Sequence, residues 1–446
     1  MKFTKFGKAL LISALSAGVI LGVSSCVRSY TVGFIYVTGT VTAQPTGTGI
    51  ISGYKIDHNT GFLTPINGLP ISSGGANPGR AVLVTGSRFL YVLNQGVNAQ
   101  GGTTCTTANP CQNSNITEFA LGGNGILSPQ ATFFTQGINP FRLIADSSGN
   151  YLAVLDHDSP SNATCKLALG PSATNCGDIT IFQINQTTGR LTLVVNAQVT
   201  SSGGTPLTYF PVPANPIDFV LSAGYILTLS GTPATGDSVF PYVYSGSSGQ
   251  LTLGQNSPQP LNISQATAII NASGVIYVLD NEPVTITGSG GSFSAGVYPS
   301  QILPFTVGNN GALQAQTGGI VPDDPTLANP IYLMVESKGK FIYVANQGNN
   351  VQNQNANSGL SGYFITTSPS FRLSFLTPST YGTGSGPQCL VEDPSDQFIY
   401  TANFADSTIT GRVVDPNDGV LNGLKVASSY KLQGPANWCL IDGRTD

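Results

Sequence analysis

The chain has 446 residues, of which only 38 are charged, 17 basic and 21 acidic, a 9% share against the ~25% usual for soluble domains. Its 54 glycines and 29 prolines disfavour long helices, while 40% apolar residues, including 38 Phe and Tyr, supply a packed core and exclude global disorder. Lys and Arg do not cluster after residue 8 and the formal charge is −4, which excludes nucleic acid as a partner.

The first element is an address. Lys2, Lys5 and Lys8 precede an apolar run from Ala9 to Val23, followed by Ser24, Ser25 and Cys26. The run is shorter than the ~20 residues that span a bilayer, so residues 1–25 read as a secretory signal. The small residues directly before Cys26 resemble the lipobox of bacterial lipoproteins. That resemblance implies lipidation of Cys26, a tether over residues 26–32, and an exported protein held in the cell envelope by several acyl chains. Val27, where an Asp would retain such a protein at the inner membrane, implies the outer membrane. Removing residues 1–25 takes away three lysines and no acids, leaving 14 basic and 21 acidic groups, a balance of −7 that adds no attraction to anionic lipid.

From residue 33 onward one unit recurs. Its most regular strand reads Phe34-Ile35-Tyr36-Val37, Phe89-Leu90-Tyr91-Val92-Leu93-Asn94, Tyr151-Leu152-Ala153-Val154-Leu155-Asp156, Tyr225-Ile226-Leu227-Thr228, Val275-Ile276-Tyr277-Val278-Leu279-Asp280, Phe341-Ile342-Tyr343-Val344-Ala345-Asn346 and Phe398-Ile399-Tyr400-Thr401-Ala402-Asn403. A further strand follows, with a tight turn such as Thr60-Gly61-Phe62-Leu63 or Thr188-Gly189-Arg190-Leu191, where Gly supplies a positive φ. Another strand precedes it, introduced by Asn-Pro or Gly-Pro at 77–78, 139–140, 215–216, 329–330, 386–387 and 434–435. Four strands per unit at about 60 residues per unit predict an all-β, seven-bladed β-propeller of four-stranded antiparallel blades spanning residues 33–446. The N-terminal unit lacks its Asn-Pro strand and the chain finishes on a spare one, Asn437-Trp438-Cys439-Leu440-Ile441-Asp442, so the C-terminal strand is expected to complete the first blade and close the ring.

Six cysteines follow Cys26, an even number that suits disulfides in an exported chain. Cys105 with Cys111 and Cys165 with Cys176 each bracket one irregular insertion, so local bridges are expected there. Cys389 and Cys439 sit in matching strands of neighbouring units, and a bridge between them would join the last blade to the first. With only His58 and His157 in the chain, disulfides are preferred to a zinc site.

The aromatic-Ile-Tyr-Val-x-Asn strand, the Thr-Gly-x-Leu turn and the Asn-Pro strand together resemble the lactonase-type seven-bladed propellers, the group of bacterial 6-phosphogluconolactonases, with kinship to the Tyr-Val-Thr-Asn repeat surface proteins. The resemblance covers residues 33–446 and implies the propeller fold. The enzyme branch often carries Pro-Arg-His at the start of an inner strand and Asn-Glu at the end of the second. This chain departs from both, with Pro78-Gly79-Arg80, Pro140-Phe141-Arg142 and Pro387-Gln388-Cys389 at the first place and Asn94-Gln95, Asn346-Gln347 and Asn403-Phe404 at the second.

Loops joining strand two to three gather around one mouth of a propeller channel, and here four of them are long: Gly96 to Ser114, His157 to Gly177, Asn281 to Ser300 and Gln347 to Gly359. Their amides and hydroxyls suit a neutral or weakly acidic ligand, a glycan, a lactone or a protein. Binding on this face is the first expectation, with Arg80, Asn94, Asp280, Asn346 and Asn403 as candidate ligand contacts. Turnover is the alternative: Asp156-His157-Asp158 with Arg142 would activate water to open a sugar lactone, or His157 would take a metal alongside Asp280 or Glu282. Arg80 and Arg142 would hold a ligand carboxylate, or pair with Asp146 or another loop acid. His58, in an outer hairpin, reads as structural. No serine nucleophile, resident metal or cofactor is assigned, and a monomer is expected.

Overall fold

In the computed structural model, residues 30–443 are described, apart from 42–46, 85–87, 202, 255–257, 288–292, 317, 352–353 and 368–369. The signal, Cys26 and most of the tether therefore lie outside the described residues.

Seven antiparallel blades form, each running from an inner strand to an outer edge. Blades 2 to 7 start with inner strands Pro78–Leu83, Ile138–Ala145, Pro216–Ser222, Ala266–Ala272, Pro330–Val335 and Pro387–Glu392, followed by second strands that carry the repeated motif. Blade 1 has Thr31–Thr40 and Thr48–Asp57 as its second and third strands, and its inner strand is Ala436–Asp442, paired through Tyr36↔Leu440 and Val37↔Cys439. The inner strands touch in a closed circle, the C-terminal one lying against those of blades 2 and 7. Each of the seven apolar cores lies between two consecutive blades, so every blade is sealed by its neighbours. In five blades the outer edge is split into two short strands, as in blade 7 at Leu421–Gly423 and Ser429–Lys431.

The repeated residues are the parts that join blade to blade. Gly61 has φ +67°, and a Cβ there would come within 2.6 Å of Phe398 Cδ1, while Tyr400 of blade 7 donates its hydroxyl to Gly61 O at 2.7 Å. The same aromatic, Tyr and Gly meet at Phe341, Tyr343 and Gly419, and at Phe34, Tyr36 and Gly125. Asn77, Asn139, Asn215 and Asn329 all hold φ between 49° and 59°, which Asn tolerates better than most residues, and Gly386 serves at the same place in blade 7. This backbone demand explains the Asn-Pro of blades 2, 3, 4 and 6 and the Gly386-Pro387 of blade 7, whereas Gly434-Pro435 stands one place out of this register.

All three expected disulfides are present, Cys105 to Cys111, Cys165 to Cys176 and Cys389 to Cys439. The third joins the inner strands of blades 7 and 1. The loop after His157, read from sequence as irregular, contains a helix, Asn162–Leu169. Ser161 caps it by accepting from Ala163 N, and Cys165 anchors it to the third strand of blade 3. His58 stacks on Tyr30 at 4.4 Å, a local packing role.

Candidate functional site

At the same point in every blade the ladder between inner and second strands slips, just beyond the pairs Pro78↔Asn94, Pro140↔Asp156, Pro216↔Ser230, Ala266↔Asp280, Pro330↔Asn346, Pro387↔Asn403 and Ala436↔Gly39. A bulge re-aims side chains. Six of the seven slipped residues, Gly79, Phe141, Thr267, Ile331, Gln388 and Asn437, line a cavity of about 370 Å³ at the channel mouth. Arg80, Arg142 and Trp438 join them from the next position, and Gln95, Gln347 and Phe404 from the ends of second strands.

Three of these register-equivalent positions carry charge. Asp218, the third residue of its motif in blade 4 as Arg80 and Arg142 are in blades 2 and 3, has 0% of its side chain exposed. Arg80 Nη2 donates to its Oδ2 at 2.9 Å, and Arg142 Nε lies 3.3 Å from its Oδ1. The guanidinium of Arg80 also stacks over Trp438 at 4.9 Å, and that of Arg142 over Phe141 at 5.1 Å. Burial pulls Arg142 down to about 10, with the neighbouring Arg80 adding to the effect and Asp218 opposing it. Two cations around one carboxylate leave the mouth with a net positive charge. Asn437 donates to Pro78 O at 2.6 Å, so the final strand supplies two walls of the site and fixes one of them to blade 2.

The structure therefore brings Arg80 and Arg142 together and pairs both with Asp218. The acid suggested by sequence, Asp146, accepts instead from Ser148, Asn150 and Tyr151 in a turn. The other candidates are dispersed. Asn94 is fully buried, donating to Ser73 O, Asn115 Oδ1 and Thr117 Oγ1, and Asn403 donates to Thr408 and Thr410. Asn346 donates to Ser361, and Asp280 accepts from Gln301. These four sit opposite the first inner-strand residue, inside their blades. The signal that marks the cavity is the next residue along, Gln95, Gln347 or Phe404.

Asp156 occupies the same internal position and accepts from Thr180 Oγ1 at 3.2 Å. Asp158 accepts from Asn139 at 2.8 Å and from Thr107, in the disulfide-tied loop of blade 2, at 2.7 Å. His157 is 40% exposed, with Nδ1 3.2 Å from Asp158 and its ring 6.1 Å from Phe141, outside the cavity wall. Burial pushes Asp156 up to about 7 against hydrogen bonds from Thr135, Thr180, Asp178 and Gly137, and burial with the adjacent Asp156 pushes Asp178 well above its usual range. The folded state thus keeps protons that the unfolded chain loses near pH ~4, so this pair costs stability as pH rises above about 4. Asp178→Asn should match the native Tm near pH 4 and exceed it by about 3 °C or more at pH 8. A Tm lowered equally at both pH values would contradict the raised titration of Asp178.

No family model and no curated protein matches the chain. Among solved structures, a "putative 6-phosphogluconolactonase" from Bacteroides fragilis superposes with TM-score 0.63 at 15% identity, covering 92% of this chain and 98% of that one. The periplasmic gluconolactonase PpgL of Pseudomonas aeruginosa gives 0.60 at 16% identity, covering 92% and 99%. A second "putative 6-phosphogluconolactonase", from Bacteroides uniformis, gives 0.59 at 12%, covering 92% and 99%. At such identities the likeness is one of architecture: the chain has the fold of the lactonase-type seven-bladed propellers.

Proposed function

We propose that the protein is an exported, lactonase-like binding propeller, tethered to the outer membrane through a lipidated Cys26, whose channel mouth takes a small, polyhydroxylated, weakly acidic ligand. One observation carries this reading: Arg80 and Arg142 converge on a single buried carboxylate, leaving one surplus positive charge in a cavity otherwise ringed by Gln95, Gln347, Gln388, Asn437 and Thr267. A guanidinium can orient a ligand carboxylate, and the amides can both donate to and accept from hydroxyls. The names of the structural neighbours point to sugar acids and their lactones as the compounds to try. Three disulfides support an oxidising compartment. The long loops around the mouth offer a wider surface for a glycan or protein partner.

Calorimetric titration with gluconate should show binding that Arg80→Gln weakens about tenfold. Unchanged affinity in both Arg80→Gln and Arg142→Gln would remove the site from the channel mouth. The alternative, a lactonase that uses His157 as base, predicts glucono-lactone opening above the spontaneous rate, lost in His157→Ala. Equal rates with and without His157 would rule that base out.

A further inference from the structure

A larger cavity, of about 580 Å³, lies away from the channel, between the outer segment of blade 4 and the outer strands of blade 5. Its walls are mostly apolar, with Leu261, Ile263, Val284, Leu303, Phe305 and Leu313 prominent, and its polar groups include Glu282 and Gln301. Gln301 is 5% exposed; its Nε2 donates to Asp280 Oδ2 at 2.7 Å, while its Oε1 is buried with no hydrogen-bond partner. Beside it stands a cluster of carboxylates. Glu282 Oε2 accepts from Ser264 N at 3.1 Å and Asp237 Oδ2 from Ala266 N at 2.7 Å, whereas Asp237 Oδ1 and Asp280 Oδ1 are buried and unpartnered. Among the described residues no Lys, Arg or His forms an ion pair with any of the three. Burial, then Glu282 and Asp237, raises Asp280 to about 6 against its hydrogen bond from Gln301. Acceptors are in surplus here, the potential is negative, and the walls favour an apolar body.

We propose that this groove is a second binding site, for an apolar molecule bearing one protonated amine, whose ammonium group meets Glu282 while its body packs on Leu303 and Phe305. The preference is opposite to that of the channel mouth, where the surplus charge is positive, so the two sites do not compete for one ligand.

The test uses the full, disulfide-bonded chain and two probes with the same ring and opposite charge, 2-phenylethylammonium and 3-phenylpropanoate, titrated by ligand-observed NMR near pH 7.5. The ammonium probe should bind at least tenfold more tightly than the carboxylate, and Glu282→Gln should weaken it about tenfold with gluconate affinity at the channel mouth unaltered. Glu282→Lys should reverse the order of the two probes. Equal affinity for both probes, or a Glu282→Gln protein that binds the ammonium as the native one does, would overturn the proposal. Glu282 is half-buried at a loop, so Tm values matching the native protein accompany the expected result; if Glu282→Gln lowers Tm, the probe order in Glu282→Lys decides.

Discussion

Replacing Cys389 and Cys439 together by alanine should lower the unfolding free energy by about 4 kcal/mol, measured by urea denaturation of the oxidised protein. The two residues are 50 apart in sequence, and a closed loop of that length loses about this much denatured-state freedom in the chain-entropy model. Both side chains are buried in the core shared by blades 7 and 1, so alanine adds a packing loss in the same direction. The comparison is the Cys105→Ala, Cys111→Ala protein, whose pair is only 6 apart and for which the same model gives about 2 kcal/mol. A loss no larger than in that control would show that the strand pairing, and not the bond, holds the ring. Because Trp438 lines the channel mouth beside Cys439, gluconate affinity should fall as well.

Asp218→Asn should have opposite effects on stability and binding. The carboxylate is wholly buried between two arginines, and neutralising it leaves two like charges facing each other with their partner gone, a loss of about 3–5 kcal/mol by analogy with other broken buried ion pairs. The isosteric amide keeps the volume, so the loss comes from the charge and from one of the two acceptor oxygens, which Phe219 N and Ile269 N also use. The same change raises the local charge by one, and gluconate should bind at least fivefold more tightly. An Asp218→Asn protein that is less stable but binds gluconate no better would make the trio a brace for the channel and nothing more.

The fold was legible because each structural demand is local and repeated. An aromatic that must face a glycine, a Tyr that must reach its carbonyl, and an Asn that must hold a positive φ recur wherever a blade recurs. Ring closure followed from one missing strand and one spare. The site was legible only in part. Arg80 and Arg142 stood out as cations at matching places, but their partner is 138 residues from Arg80, and only the shared register of Pro78-Gly79-Arg80, Pro140-Phe141-Arg142 and Pro216-Ile217-Asp218 links it to them. The recurring Asn and Asp drew attention as polar residues near a mouth, yet a shift of one position in an extended strand exchanges interior for channel. That is why Gln95 and Gln347 line the cavity while Asn94 and Asn346 do not. The groove between blades 4 and 5 joins residues from 259 to 320 through side chains no short pattern connects.

The channel mouth takes Asn437 and Trp438 from the strand that follows all the other described strands in sequence. Until that segment docks, the second strand of blade 1 lacks its inner neighbour and the mouth lacks part of its wall. A variant lacking Ala436–Asp442 would be an open ring with a gap in the cavity wall. The docking of one strand thereby completes both the ring and the cavity wall.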